Sequence, residues 1–150
     1  MKSTLPLIAA FSAVLALGGC GGGSDSSNPP APVVASPAVL TKTDTMLGAG
    51  ATAALGQTIT VHYTGWLYDS TKADFRGKKF QSTVDGAPVA LVLQQGQIIE
   101  GWAQGVPGMK VGGKRTLLIP ASLAYGATAR EGIPANSGLV FDIELVSIKN

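Results

Sequence analysis

The chain has 150 residues, enough for one domain and little more, with 45% apolar and only 13% charged side chains; that balance favours a packed core over disorder. Its formal net charge is +2, and without Lys2 ten basic side chains face nine acidic ones, too even a balance for an electrostatic footprint on nucleic acid. A single cysteine rules out an internal disulfide.

Met1-Lys2 precedes an apolar stretch from Leu5 to Leu17 and then Gly18-Gly19-Cys20. One positive charge, a short apolar run and small residues make a secretory signal, and the run is shorter than the roughly 20 residues a membrane-spanning helix needs. Leu17-Gly18-Gly19-Cys20 resembles the bacterial lipobox, in which the cysteine thiol is acylated and becomes the mature N-terminus. Residues 1–19 are therefore expected to be a lipoprotein signal peptide and Cys20 the lipidation site, since two or more acyl chains anchor where one does not. The competing reading makes Cys20 a small residue beside an ordinary cleavage site, which would leave a free thiol in an oxidising envelope. Gly21, where Asp does not follow the cysteine, points by resemblance to lipoprotein sorting towards the outer membrane. Residues 20–39, rich in Gly, Ser and Pro, read as a flexible tether that stiffens towards polyproline II. It has no helical period, so a dimerising arm is not expected and the chain is read as a monomer, lipid-anchored in the cell envelope, its folded domain spanning 40–150.

Glycine-rich 48–56 lacks the Lys-Ser/Thr ending of a phosphate loop and reads as a turn. Thr58 to Tyr63 alternates, with Ile59, Val61 and Tyr63 on one face and His62 on the other. Leu67–Gly77 reads as a connecting loop, and Val89, Leu91 and Leu93 alternate again. Ile98 to Gln104 is the single helical segment, stopped by Gly105 and Pro107. Arg115, Leu117 and Ile119 share one face of a further strand, while Lys110, Lys114 and Arg115 read as a solvated strand end rather than a phosphate site. Tyr125 lies in the loop Leu123–Thr128, outside any alternating strand. Leu139, Phe141, Ile143 and Leu145 form one buried face, from which Asp142 and Glu144 point away. Four period-two segments with glycine-rich turns and one short helix predict an α+β domain built on an antiparallel sheet.

The chemistry-bearing residues are mainly aromatic. The one histidine faces away from the buried side of its strand, Ser82 and Ser122 have no positioned base, and no spacing suggests a metal-ligand cluster. No cofactor and no metal are expected. Trp102, Tyr63 and Phe141 without ionisable partners suggest a greasy pocket, although for each of them the residues alone leave plain core packing open.

Five runs in order, Val61-His62-Tyr63-Thr64-Gly65, Gly77-Lys78-Lys79-Phe80, Ile98-Ile99-Glu100-Gly101-Trp102, Ala124-Tyr125-Gly126 and Leu139-Val140-Phe141-Asp142, resemble the bacterial FKBP-type peptidyl-prolyl cis-trans isomerases from about Thr41 to Asn150. The resemblance implies a curved sheet of five or six antiparallel strands wrapped around the short helix, with a first strand at Thr41–Met46. It implies rotation about Xaa-Pro bonds of folding exported proteins, and binding of macrolides such as rapamycin. Membrane contact is expected through the lipid anchor only. The alternative is a non-catalytic binding module or holdase chaperone.

Carried over to the matching positions, Trp102 floors the pocket. Tyr63, Phe80 and Phe141 form its walls and Ile98 its rim. The Tyr125 hydroxyl and the Ile99 backbone N–H donate to substrate carbonyls, Gln97 offers a backbone carbonyl, and Ile133 belongs to the covering loop. Three features depart from the family: the Leu67–Gly77 loop is several residues longer than in the shortest members, and two positions differ. Gln81 stands where an aspartate usually accepts hydrogen bonds at the rim, and Val89 replaces a common aromatic, thinning one wall.

Overall fold

The computed structural model describes residues 35–150. The expected signal peptide 1–19, Cys20 and the tether up to residue 34 lie outside the described residues. Six strands are seen: β1 (Thr41–Met46), β2 (Thr58–Tyr68), β3 (Arg76–Ser82), β4 (Val89–Val92), β5 (Lys114–Ile119) and β6 (Leu139–Lys149), with one helix, α1 (Glu100–Gly105), and a 3-10 turn at Ala121–Leu123. They form a single antiparallel sheet in the order β1-β5-β6-β2-β3, with β4 also paired to β2. The α+β expectation holds.

Strands β3 and β4 share one edge of β2. Thr64–Tyr68 pairs with β3 and Thr58–Val61 with β4, while β6 runs the length of the other edge from Leu67↔Leu139 to Thr58↔Lys149. Strand β3 is missing from the period-two reading because Arg-Gly-Lys-Lys-Phe-Gln-Ser has no buried face: all seven residues are exposed or half-buried. The lengthened Leu67–Gly77 segment closes as a hairpin turn. The Asp69 carboxylate accepts from the Thr71 N–H and hydroxyl at 2.9 and 2.6 Å, and Tyr68 stacks on Phe75 at 5.3 Å between centroids.

The helix begins two residues later than its apolar spacing predicts. Ile99 is extended (φ −64°, ψ 148°) and caps the helix, so Ile98 stays outside it. Its seat on the sheet depends on two glycines one turn apart. A Cβ at Gly101 would meet Ile119 Cδ1 at 2.8 Å, and one at Gly105 would meet Leu117 Cδ1 at 2.7 Å. Close approach of backbone to the side chains of β5 therefore places Trp102, next to Gly101, against the sheet.

Arg115 corrects the reading of the basic cluster. It is 8% exposed, not solvated, because it lies on the helix-facing side of β5. Its Nε and Nη2 donate to the two Asp44 carboxylate oxygens of β1 at 2.6 and 3.1 Å. Its Nη1 donates to the Gly105 and Pro107 carbonyls at 2.7 and 3.3 Å, satisfying carbonyls that the end of α1 leaves without helical partners. One guanidinium thus joins β1, β5 and the helix.

Candidate active site: an aromatic cleft beside the helix

Four aromatic rings from four elements meet on the helix side of the sheet. Trp102 of α1 meets Tyr63 of β2 edge-on at 5.2 Å and Phe141 of β6 at 5.3 Å. Phe80 of β3 meets Phe141 at 5.7 Å, also nearly perpendicular, the offset geometry that ring quadrupoles favour. Register brings them together. Gly65 pairs with Phe141 on one side and Gln81 on the other, and a Cβ there would meet Phe80 Cζ at 2.6 Å and Phe141 Cε1 at 2.8 Å. Glycine in His-Tyr-Thr-Gly is the space the two phenyl rings occupy.

The rings wall an open cleft of ≈ 210 Å³ bounded by Tyr63, Gln81, Val89, Leu91, Gln97, Ile98, Ile99, Trp102, Tyr125 and Phe141. Nine of these are residues the sequence points to, and they converge from all parts of the domain. Val89 stands at the rim, 37% exposed. Leu91 is the lining residue missed; its alternation with Val89 on β4 carries the signal.

Two expected members lie elsewhere. Phe80 packs edge-on against Phe141 and is not among the residues that bound the cleft. Ile133 is 5% exposed and part of the core, held there by a tight turn in which it and Arg130 exchange backbone hydrogen bonds at 2.8 and 2.9 Å. It supports the wall from within instead of covering the cleft.

The only ionisable side chains of the lining are tyrosines. Burial, with the neighbouring Tyr125, pushes the Tyr63 hydroxyl above its ordinary value of 10.0, so it stays neutral throughout the physiological range. Neither the Tyr63 hydroxyl nor the Gln81 amide has a hydrogen-bond partner among the described residues. The expected rim acceptor is therefore near the cleft but unengaged. Trp102 is 5% exposed, and its Nε1 is a buried donor without a partner among the described residues. An orphan donor in a protein interior is costly, and the residue that carries it lines the cleft. The Tyr125 ring is held from outside by the Arg130 guanidinium, 5.2 Å from its centroid, a cation–π contact.

His62 lies on the far face as expected, its Nδ1 3.0 Å from the Thr83 carbonyl. Among the described residues no group of three or more His, Cys, Asp or Glu could hold a metal, and no helix is long and apolar enough to cross a membrane. Such a site can desolvate and orient a small apolar ring with a polar flank, but offers no base within reach of a nucleophile.

Comparison with known proteins agrees with this geometry. The model of the family described as FKBP-type peptidyl-prolyl cis-trans isomerase matches residues 50–146. FK506-binding protein 1 of Aspergillus oryzae is 43% identical over 105 residues, covering 67% of this chain and 90% of that protein. A peptidyl-prolyl cis-trans isomerase of Saccharomyces cerevisiae is 45% identical over 107 residues, 71% of this chain but 24% of that protein. FK506-binding protein 4 of Aspergillus fumigatus is 44% identical over 106 residues and 20% covered, so the chain spans about a quarter or less of these two relatives. Among solved structures, AtFKBP13 has a TM-score of 0.62 at 38% identity, covering 76% of this chain and 96% of that one. FkpA from Escherichia coli has a TM-score of 0.62 at 39% identity, covering 73% and 48%.

Proposed function

The chain belongs to the FKBP-type peptidyl-prolyl cis-trans isomerases, and on that premise we propose that its cleft accelerates Xaa-Pro rotation by desolvation and shape, not by proton transfer. The barrier, about 18–20 kcal/mol, exists because planarity preserves amide resonance, and uncatalysed exchange takes tens to hundreds of seconds. Resonance places negative charge on the carbonyl oxygen, which water stabilises. The twisted transition state is less polarised there. Moving the prolyl amide into an apolar cleft raises the planar ground state relative to that transition state. Trp102 supports the proline ring, and Tyr63, Phe141, Leu91, Ile98 and Ile99 keep water away. The Tyr125 hydroxyl and the Ile99 N–H hold the flanking carbonyls, with Gln81, Gln97 and Val89 at the rim and Phe80 and Ile133 bracing the wall. No covalent bond breaks.

The observation that carries this reading is the convergence of nine expected residues on one cleft whose only ionisable groups are phenols. The test is NMR exchange on a short Xaa-Pro peptide with wild type and Tyr125→Phe, together with Trp102 fluorescence during titration with FK506 or rapamycin. Catalysed exchange, a several-fold loss in Tyr125→Phe and a saturable fluorescence change are expected. Undiminished exchange in Tyr125→Phe removes the hydroxyl from the mechanism, and no fluorescence change at micromolar macrolide removes Trp102 from the binding floor.

The lipobox-like ending at Cys20 supports a bacterial lipoprotein, anchored through acyl chains in the cell envelope and working as a monomer on exported proteins. Fatty-acid labelling of wild type but not of Cys20→Ser is the expected result; equal labelling of both overturns it.

A further inference from the structure

Residues 35–37, in the tether as the sequence divides the chain, are bonded to the domain at the root of the loop that carries Tyr125. The Gly138 N–H donates to the Ala35 carbonyl at 3.0 Å, and the Ala121 N–H donates to the Ser36 hydroxyl at 2.9 Å. Gly138 is the seat of this strap. A Cβ there would collide with Pro37 Cδ and lie 2.7 Å from Ser36 Cα, so only glycine admits the strap at this distance.

Ala121 opens the 3-10 turn Ala121–Leu123, and the residue before it, Pro120, supplies no side-chain cap. Its N–H, which has no carbonyl within the turn to receive it, is capped instead from 85 residues away. The same residue's carbonyl accepts from the Ala124 N–H at 3.0 Å and the Gly126 N–H at 2.9 Å. Tyr125 is therefore gripped on both sides by one peptide group, and the peptide group at the other side of Ala121 is held by Ser36.

We propose that Ser36 is a positioning residue for catalysis, holding the backbone at Ala121 so that the Tyr125 hydroxyl is aimed into the cleft, and that the strap 35–37 is part of the working enzyme rather than of its tether. The hydrogen bond acts through the turn; Ser36 touches no substrate. Such a cap orders a local segment, and its loss loosens that segment while the sheet stays intact. The inference rests on the assignment of Tyr125 as a substrate-holding group.

The test uses the full chain as wild type, Ser36→Ala, Ser36→Thr, Tyr125→Phe and the double variant Ser36→Ala/Tyr125→Phe. Exchange kinetics on an Xaa-Pro peptide are combined with amide hydrogen exchange. Ser36→Ala should lower kcat about three- to fivefold with KM little changed. It should speed exchange of the Ala121, Ala124 and Gly126 amides and leave β5 and β6 protection unaltered. Ser36→Thr, which keeps the acceptor, should restore both. In the Tyr125→Phe background Ser36→Ala should cost nothing further, because the hydroxyl it positions is gone.

Equal activity of Ser36→Ala and wild type overturns the proposal. So does an equal loss in both backgrounds, or accelerated exchange throughout the sheet. A fully active Tyr125→Phe instead overturns the assignment of Tyr125, and the strap's role falls with it; an impaired Tyr125→Phe with additive Ser36→Ala overturns the strap alone.

Discussion

The two faces of the sheet use the same strands for opposite purposes. On the helix side, Tyr63, Phe141, Leu91 and Trp102 line a cleft of ≈ 210 Å³. On the far side, one residue along each strand, a hollow of ≈ 260 Å³ is lined by His62, Thr64, Arg76, Lys114, Thr116, Asp142 and Glu144. There Arg76 donates to both oxygens of Asp142 at 2.6 and 2.8 Å. Thr116 donates to the same carboxylate at 2.7 Å, and the guanidinium lies 5.1 Å over the Trp66 ring. In the polar hollow the charges are paired, Arg76 with Asp142 and Lys114 with Glu144. The aromatic cleft leaves the Trp102 Nε1, the Tyr63 hydroxyl and the Gln81 amide without partners among the described residues. Similar volumes therefore differ in what they offer a visitor: one face presents paired charges, the other neutral polar groups inside an apolar frame.

The largest effect that separates the faces is Trp102→Ala. It should cost about 3–5 kcal/mol of stability and lower kcat/KM on the order of a hundredfold. Arg76→Ala on the far face should cost about 0.5–1 kcal/mol, since the pair is part-exposed, and leave kcat/KM within a factor of two. Chemical denaturation and peptide exchange on both variants decide the matter, and a tenfold activity loss in Arg76→Ala would erase the division. Next in size is Gly65→Ala. Its methyl enters the space of Phe80 and Phe141, so about 1–3 kcal/mol of overpacking and roughly a tenfold drop in activity are expected. A variant as stable and active as wild type would show that the rings are free to shift.

A smaller effect concerns the clamp that holds α1. The hydrogen bond from Arg115 holds the Asp44 carboxyl below its ordinary value of 3.8. The folded chain thus binds that proton less readily than the unfolded one. The clamp's contribution is complete above about pH 4 and is lost as pH falls below 3.8 through the lower folded value. Thermal unfolding followed from pH 6 to pH 2 should show a falling Tm below pH 4, and Asp44→Asn should lower the plateau while shallowing the fall. Asp69 and Asp74, lowered by hydrogen bonds from Thr71 and from the Arg76 N–H respectively, leave a residual slope. An unchanged slope in Asp44→Asn would assign the acid sensitivity to other groups.

The smallest effect belongs to the rim. Gln81→Asp should raise turnover by a few-fold at most, because a charged acceptor makes a hydrogen bond about twice as strong, and the activity should stay flat between about pH 5.5 and 8 in wild type. A bell-shaped profile would mean that a titrating group has been overlooked in the cleft.

Most of the fold is legible because its central strands are buried on one face. β5 falls where alternation puts it, and β2 and β6 begin where expected and run five and four residues further. β3 is illegible as period two because it is an edge strand with no fully buried residue, and only the Phe80 run marks it. The site is legible where a residue is both large and placed in a characteristic run, as Trp102 and Tyr125 are. Leu91 is ordinary in composition and becomes a lining residue only through pairing of β4 with β2. Arg115 is misread because its charge argues for solvent, and nothing local reveals Asp44, 71 residues away, as its partner. The bond of Ser36 to Ala121 is hidden by a longer separation still, 85 residues.

The pairing order has a consequence for how the domain comes into being. β6 is the last strand in the chain yet lies in the middle of the sheet, between β5 and β2. Until it has left the ribosome, β1–β5 and β2–β3–β4 are two ribbons without a common partner. Phe141, which joins the ring cluster, is also missing. Strand pairing over such sequence separations is slow compared with local folding. The domain therefore acquires its sheet, its core and its cleft in one late step, and a chain interrupted before β6 has no partial version of the catalyst.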